Sequence, residues 1–171
     1  YITDATLKNS SLNIEPALTR SFQEYQPVAI GDLSIVAFPK SHDAADPYSF
    51  VVEHKGIRVG VFTDIGYNCE HVISNFKQCH AVFLEANYDE KMLAEGGYPI
   101  YLQRRISGDK GHLSNDQALE LFIKHRAPFL SHLFLSHLSK NNNDPALVAE
   151  LFKLHAGETF ISVASRYEAS E

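Results

Sequence analysis

Between Leu33 and Thr63 the sequence runs through three short apolar stretches, LSIVAFP, YSFVVEH and IRVGVFT, and only Lys55-Gly56 separates the last two. Runs of this length, rich in β-branched and aromatic residues, read as strands. A two-residue link containing glycine reads as a tight hairpin, because glycine takes the positive φ such a turn requires. Downstream the pattern changes to alternation. Cys69 to Lys77 reads as a helix and Ala81 to Glu85 (AVFLE) as a short buried strand. Glu90 to Glu95 reads as a helical turn ended by Gly96-Gly97, and Ser114 to His125 as a longer helix with Ser114 as its N-cap. Phe129 to Leu135 is a strand, Asp144-Pro145 opens a helix reaching about His155, and Thr159 to Ala164 closes as a strand. The opening segment, Tyr1 to about Pro27, is polar and weakly patterned, suited to a short helix and a loop. A β-meander followed by β-α alternation predicts one layered α/β domain over residues 1–171.

Composition narrows the function. A net charge of −6 argues against a chain coated in basic surface for nucleic acid. It leaves room for a nucleic-acid-cleaving enzyme, which needs positive charge only around its site. No stretch approaches the ~18 consecutive apolar residues of a membrane span, so no membrane partner is expected. Two cysteines, Cys69 and Cys79, do not make a disulfide framework and read as reduced thiols of a cytoplasmic protein. The nine histidines matter more, because imidazole is a common metal ligand.

Polar residues placed just after buried strands point into a common cleft. Four such places stand out: PKSHDAADP after the first strand, TDIG after the third, GHLSN before the longer helix, and LSHLSKNNN between a strand and a helix. Histidine and aspartate at strand ends suit zinc, manganese or iron. Each alone has an ordinary explanation, since a lone histidine is most often a surface or core residue and TDIG could be a turn.

Together these motifs become specific. SHDAADP, TDIG, FLEANYDEKML, GGYP, RRISGDKGHLSN and LSHLSKNNNDP occur in the order found in the WalJ/YycJ-type branch of metallo-β-lactamase-fold hydrolases, and the sequence resembles that branch from about Val36 to Glu150. The resemblance implies the C-terminal part of a four-layer αββα sandwich. It implies two divalent metal ions, zinc or manganese, in the complete protein. His42 resembles the histidine completing the first metal site, Asp64 the aspartate bridging both metals, and His137 the histidine completing the second. Glu85 and His112 fall where related transfer-RNA-processing nucleases carry a glutamate and a histidine. By that likeness His112 is the general acid and Glu85 orients it. Ser139, Lys140 and Asn141 are candidates for holding substrate. Lys40, Lys140, Arg104 and Arg105 either supply charge for a phosphate backbone or are ordinary surface charges, and the run Asn141–Asn143 either contacts substrate or caps a helix.

The dominant motif of this superfamily, HxHxDH, is missing, and YITDATL resembles the segment that follows it. Truncation is the expected reason. Three ligands spread over two sites cannot hold two ions, so residues 1–171 alone are expected to bind metal weakly and to be inactive. An open sheet face or edge and self-association should accompany the loss. The leading function is a metal-dependent phosphodiesterase, an exonuclease on DNA, working through a metal-activated hydroxide. A small-molecule or cyclic-phosphate hydrolase of the same fold is the alternative, and a non-catalytic binding module is a further one. The last predicts that His42, Asp64 and His137 do not meet.

Overall fold

In the computed structural model, which describes residues 1–169, Lys55 and Gly56 both take positive φ, 48° and 79°. They join β3 (Tyr48–His54) to β4 (Ile57–Phe62) as the sequence predicts. Antiparallel pairing extends from β3 to β2 (Leu33–Pro39) and on to β1 (Val28–Ile30), a three-residue strand too short for its pattern to register. Beyond β4 the sheet turns parallel, through β5 (Ala81–Glu85), β6 (His132–Ser136) and β7 (Phe160–Val163). The result is one seven-stranded sheet whose spatial order follows the chain, β1 to β7. Parallel neighbours need crossovers. These are α2 (Glu70–Phe76) between β4 and β5, then α3 (Glu90–Glu95), α4 (Ile100–Ser107) and α5 (Asn115–His125) between β5 and β6, and α6 (Pro145–Lys153) between β6 and β7. The opening segment forms α1 (Asp4–Asn9) and a 3₁₀ turn at Pro16–Leu18.

Local chemistry sets the helix ends. Ser114 and Gln117 make a reciprocal capping box on α5. Asp89 caps α3 by accepting from the Met92 N–H. Asp144 caps α6 by accepting from Ala146 and Leu147, with Pro145 inside the first turn where its missing N–H costs nothing. The expected α/β layering is borne out, and besides the added strand β1 there are three differences. The strand predicted from Phe129 begins at His132, because Ala127 to Leu130 close a turn through Leu130 N–H to Ala127 O (3.1 Å) and Phe129 stays exposed. The last helix stops at Lys153 rather than His155. Helix α4 was not expected at all, and it buries none of its side chains.

The core lies on one face of the sheet. Phe38, Val51, Phe62, Val82, Leu84, Leu133 and Leu135 project there and meet Val72 and Phe76 of α2, Leu121 and Phe122 of α5, and Val148 and Phe152 of α6. The opposite face carries Phe50, Val61, Phe83 and Phe134 in one cross-strand row. Phe22 packs edge-on against Tyr48 and Phe50, and Phe83 stacks on Phe134 at 4.7 Å while remaining 37% exposed. One sheet with helices on one face makes up two of the four layers that the family resemblance implies. No helix among the described residues is long and apolar enough to cross a membrane.

Candidate metal centre

Strands β2 and β4 both run antiparallel to β3, and β4, β5 and β6 are mutually parallel, so all four end at the same side of the sheet. In open α/β sheets that side, outside the carboxyl ends of the strands, is where ligands bind. His42 follows β2, Asp64 follows β4, Glu85 is the last residue of β5, and His137 follows β6. His112 joins them from the loop between α4 and α5.

The five side chains converge. One Asp64 oxygen, Oδ1, lies 3.6 Å from His42 Nε2 and 3.5 Å from His137 Nε2. It lies 3.9 Å from His112 Nδ1. The rings of His42 and His112 are 5.1 Å apart, and those of His112 and His137 5.3 Å. His42, Asp64 and His112 form one set of donor atoms within 4.8 Å of one another, and Glu85, His112 and His137 a second. A non-catalytic module predicts these residues apart, and they meet.

Each imidazole is held by its Nδ1. His42 Nδ1 is 2.9 Å from the Gly111 carbonyl. His112 Nδ1 and His137 Nδ1 lie 2.6 and 2.9 Å from the same Glu85 oxygen, Oε1. Glu85 is fully buried, and burial pushes its pKa upward. The hydrogen bonds from His112 and His137 and from the Ile65 N–H outweigh burial and leave it below the usual carboxylate range. An ionised carboxylate only accepts, so both facing nitrogens carry protons. The second oxygen, Oε2, accepts from the Ile65 N–H at 2.7 Å. The Glu85 hydrogen bond raises the pKa of His137, against the opposing effect of burial.

The donor set fits a divalent cation. Metal-binding histidines commonly anchor one nitrogen on a carboxylate or carbonyl and present the other, which is the arrangement of His42 and His137. In a tetrahedral site with bonds of ~2.0–2.2 Å, neighbouring donors stand about 3.3–3.6 Å apart. The two spacings about Asp64 Oδ1 are of that size.

Two of the four non-glycine residues with positive φ among the described residues lie here. Asp64 and His137 adopt left-handed φ angles of 55° and 57°. That conformation costs about 1–2 kcal/mol for a residue with a Cβ. Asn87, buried behind β5, holds one of them, donating from Nδ2 to the His137 carbonyl at 2.7 Å. Two glycines permit the loops to approach. A Cβ on Gly66 would come within 2.0 Å of the Asp109 carbonyl oxygen, and one on Gly111 within 2.0 Å of the Ile106 oxygen. Ser41 completes the junction: its Oγ donates to Asp109 O at 2.6 Å and its backbone carbonyl accepts from the Gly66 N–H at 2.8 Å.

The other expected site residues are placed differently. Ser139 is tied to the cluster through Asn87, whose carbonyl takes its N–H at 2.7 Å. Its hydroxyl accepts from the Asn142 N–H at 3.2 Å. Asn141 donates to the Tyr98 hydroxyl at 3.0 Å, and Lys140 is exposed. Asn142 and Asn143 are buried, and Asn143 makes a reciprocal pair with Asn115, so this run fastens the loop while Asp144 caps the helix. Lys40 is no ordinary surface charge: it donates from Nζ to the Thr63 carbonyl at 2.5 Å, and burial lowers its pKa. Arg105 pairs with Asp43 at 2.6 Å, and Arg104 is exposed. Two contributors went unread in the sequence. Asp43 stands 3.4 Å from His42 Nε2, and Asn87 holds the His137 loop. Both lie inside the quoted motifs, as the D of SHDA and the N of FLEANYDE, but only proximity gives them a role.

Residues 4–137 match the family described as β-lactamase superfamily domain. The chain is 34% identical over 113 residues to the exodeoxyribonuclease YycJ of Bacillus anthracis, covering 66% of this chain and 43% of the relative. It is 34% identical over 124 residues to the exodeoxyribonuclease WalJ of Streptococcus pneumoniae serotype 2, covering 71% and 45%. The chain thus spans less than half the length of these curated relatives. Its fold resembles the metallo-β-lactamase fold protein YhfI from Bacillus subtilis, with TM-score 0.63 at 17% identity over 84% of this chain and 52% of that one. It also resembles an isothiocyanate hydrolase from Delia radicum gut bacteria, with TM-score 0.60 at 13% identity over 89% and 58%. At such identities these two structures speak for the fold alone.

Proposed function

The chain belongs to the β-lactamase superfamily domain family, and on that premise we propose that it carries part of the active site of a metal-dependent phosphodiesterase, an exonuclease acting on DNA in the cytoplasm. The observation that carries this reading is the single Asp64 oxygen flanked by His42 Nε2 and His137 Nε2 at 3.6 and 3.5 Å. Two relatives named as exodeoxyribonucleases support the choice of DNA.

In this reading His42, Asp64 and His137 hold two divalent cations, zinc or manganese, with Asp64 shared between them. Cations held there would acidify a water molecule and offset charge on a phosphoryl group. The residues of this chain do the rest. Glu85 keeps the His112 and His137 rings in one tautomer and one orientation. With Nδ1–H donated to Glu85, Nε2 is the free nitrogen of His112: in the imidazolium form it gives its proton to the departing oxygen and leaves the neutral Nδ1–H ring still held by Glu85. Lys40 and Arg105 bring positive charge to the loops around His42. His42, Asp64 and His137, the three ligands of this reading, are fewer than two cations require, since each site needs at least three protein ligands even with one shared. Residues 1–171 by themselves therefore bind metal weakly and do not turn over DNA.

Equilibrium dialysis against zinc and manganese, with elemental analysis, tests this reading. The wild-type chain takes up metal below one equivalent, and Asp64→Ala abolishes the uptake because it removes the oxygen common to both histidines. Wild-type uptake in Asp64→Ala would overturn the assignment. Stoichiometric metal together with nuclease activity in the isolated chain would overturn the statement that it is inactive alone. A complete protein that hydrolyses cyclic phosphodiesters while leaving single-stranded DNA intact would favour the small-molecule alternative.

A further inference from the structure

Asp64 carries the oxygen that stands between His42 and His137, and it does so from the left-handed region, at φ 55°. The torsions of a residue are set by the two rigid peptide planes that flank it. A left-handed aspartate therefore persists only where its surroundings hold both planes. The plane after Asp64 is held by Glu85, whose Oε2 accepts from the Ile65 N–H at 2.7 Å. The plane before it is held by Lys40, whose Nζ donates to the Thr63 carbonyl at 2.5 Å. His137, the other left-handed ligand at φ 57°, is held on both sides as well. Its preceding plane accepts through Ser136 O from the Ala86 N–H at 3.1 Å, and its following plane through His137 O from Asn87 Nδ2 at 2.7 Å.

Place and length suit Lys40 to this task. It follows β2 directly, Thr63 follows β4, and β3 lies between the two strands. Strands separated by one neighbour stand about 10 Å apart. A serine or threonine at position 40 would leave that gap open, whereas a four-carbon stem ending in a donor crosses it. The backbone of Lys40 is anchored in turn, its N–H donating to Pro47 O at 3.3 Å across the base of the loop that carries His42. The side chain is half-buried, with the carboxylates of Asp64 and Glu85 as its charged neighbours.

As a bare charge, a lysine here works against metal, because an ammonium repels a divalent cation close by. Lys40 favours metal binding only by what it does to the backbone. The two effects have opposite signs, so experiment separates them.

We infer that Lys40 is the positioning residue for Asp64: it fixes the Thr63–Asp64 peptide while Glu85 fixes the Asp64–Ile65 peptide, and together they hold Oδ1 between His42 and His137. The task given to the carboxylate rests on the metal reading above, and the backbone clamp stands apart from it.

Two measurements on this chain compare wild type with Lys40→Met, which keeps the length of the side chain and removes the donor. Backbone carbon shifts from NMR, without metal, report the conformation of residue 64. In Lys40→Met they leave the left-handed range, while those of His137, held by Asn87, stay and show that the fold is kept. Titration with Mn2+, followed by the electron paramagnetic resonance of the free ion, gives the affinity. Lys40→Met weakens it roughly 10- to 100-fold, the range for losing a group that orients a metal ligand. Left-handed shifts for Asp64 in Lys40→Met overturn the clamp whatever the affinity. Binding equal to wild type or tighter overturns the positioning role and leaves Lys40 a charge alone. Asp64→Ala binding Mn2+ as tightly as wild type overturns the metal reading instead, and the carbon shifts still decide the clamp.

Discussion

Phe83 and Leu84 are neighbours on β5, yet one is 37% exposed and the other fully buried. They represent the two faces of the sheet. On the Leu84 side, three helices close over side chains from β2 to β7, and the packing is that of an ordinary protein interior. On the Phe83 side, aromatic rings stack on one another and stay partly in water. Alternation along β5 puts Glu85 on the Phe83 side, so the candidate metal cluster hangs from the rim of the open face. Stability and chemistry are divided between the two sides of one sheet: the first is closed by helices, and the second is partly open to water.

Substitutions can break or sharpen that contrast. Leu84→Ala should cost roughly 2–5 kcal/mol through a cavity in the closed face, whereas Phe83→Ala should cost about 1 kcal/mol. Urea denaturation midpoints compare them, and similar losses would mean that the open face is packed as tightly as the closed one. Glu85→Ala should cost about 3 kcal/mol even though Glu85 projects to the open side, because it strands the Ile65 N–H and two imidazole N–H groups. A cost below 1 kcal/mol in the same assay would show that water replaces the carboxylate freely. Gly66→Ala should cost roughly 1–3 kcal/mol, since its Cβ would overlap the Asp109 backbone. Thermal unfolding reads that loss, and unchanged Tm would mean that the α4 loop gives way. The smallest effect concerns thiols. Cys79 is buried, with its pKa pushed up by burial to about 12, while Cys69 is half-buried. A thiol reagent at neutral pH should modify Cys69 alone, and labelling of Cys79 at a similar rate would show that the closed face opens readily.

What could be read from the sequence follows the same division. Strands β2, β3 and β5 end where their apolar patterns end, and α5 starts at the serine that caps it, because burial on the closed face writes a strong periodicity into those segments. Helix α4 is harder to read: its apolar stripe is one turn long, Leu102 and Ile106, both only half-buried, and the exposed Ile100 and Tyr101 blur it. The site separates likewise. His42, Asp64 and His137 were legible as a family pattern, and the pairing of Glu85 with His112 followed from it. That Glu85 serves His137 as well, that Asp43 lies beside His42, and that Asn142 and Asn143 are buried fasteners depend on contacts between segments far apart in the chain. Spacing along one strand holds no record of those.

Glu85 spends a single oxygen on both His112 and His137 and the other on the Ile65 N–H, directly after Asp64. The cluster is therefore energetically indivisible. Removing either ring hands the whole of Oε1 to the survivor, so the effects of the two single substitutions cannot sum to that of the double one. A residue ranking drawn from single replacements at this junction would measure how the carboxylate redistributes itself, and only a double-mutant cycle would separate one partner's share from the other's.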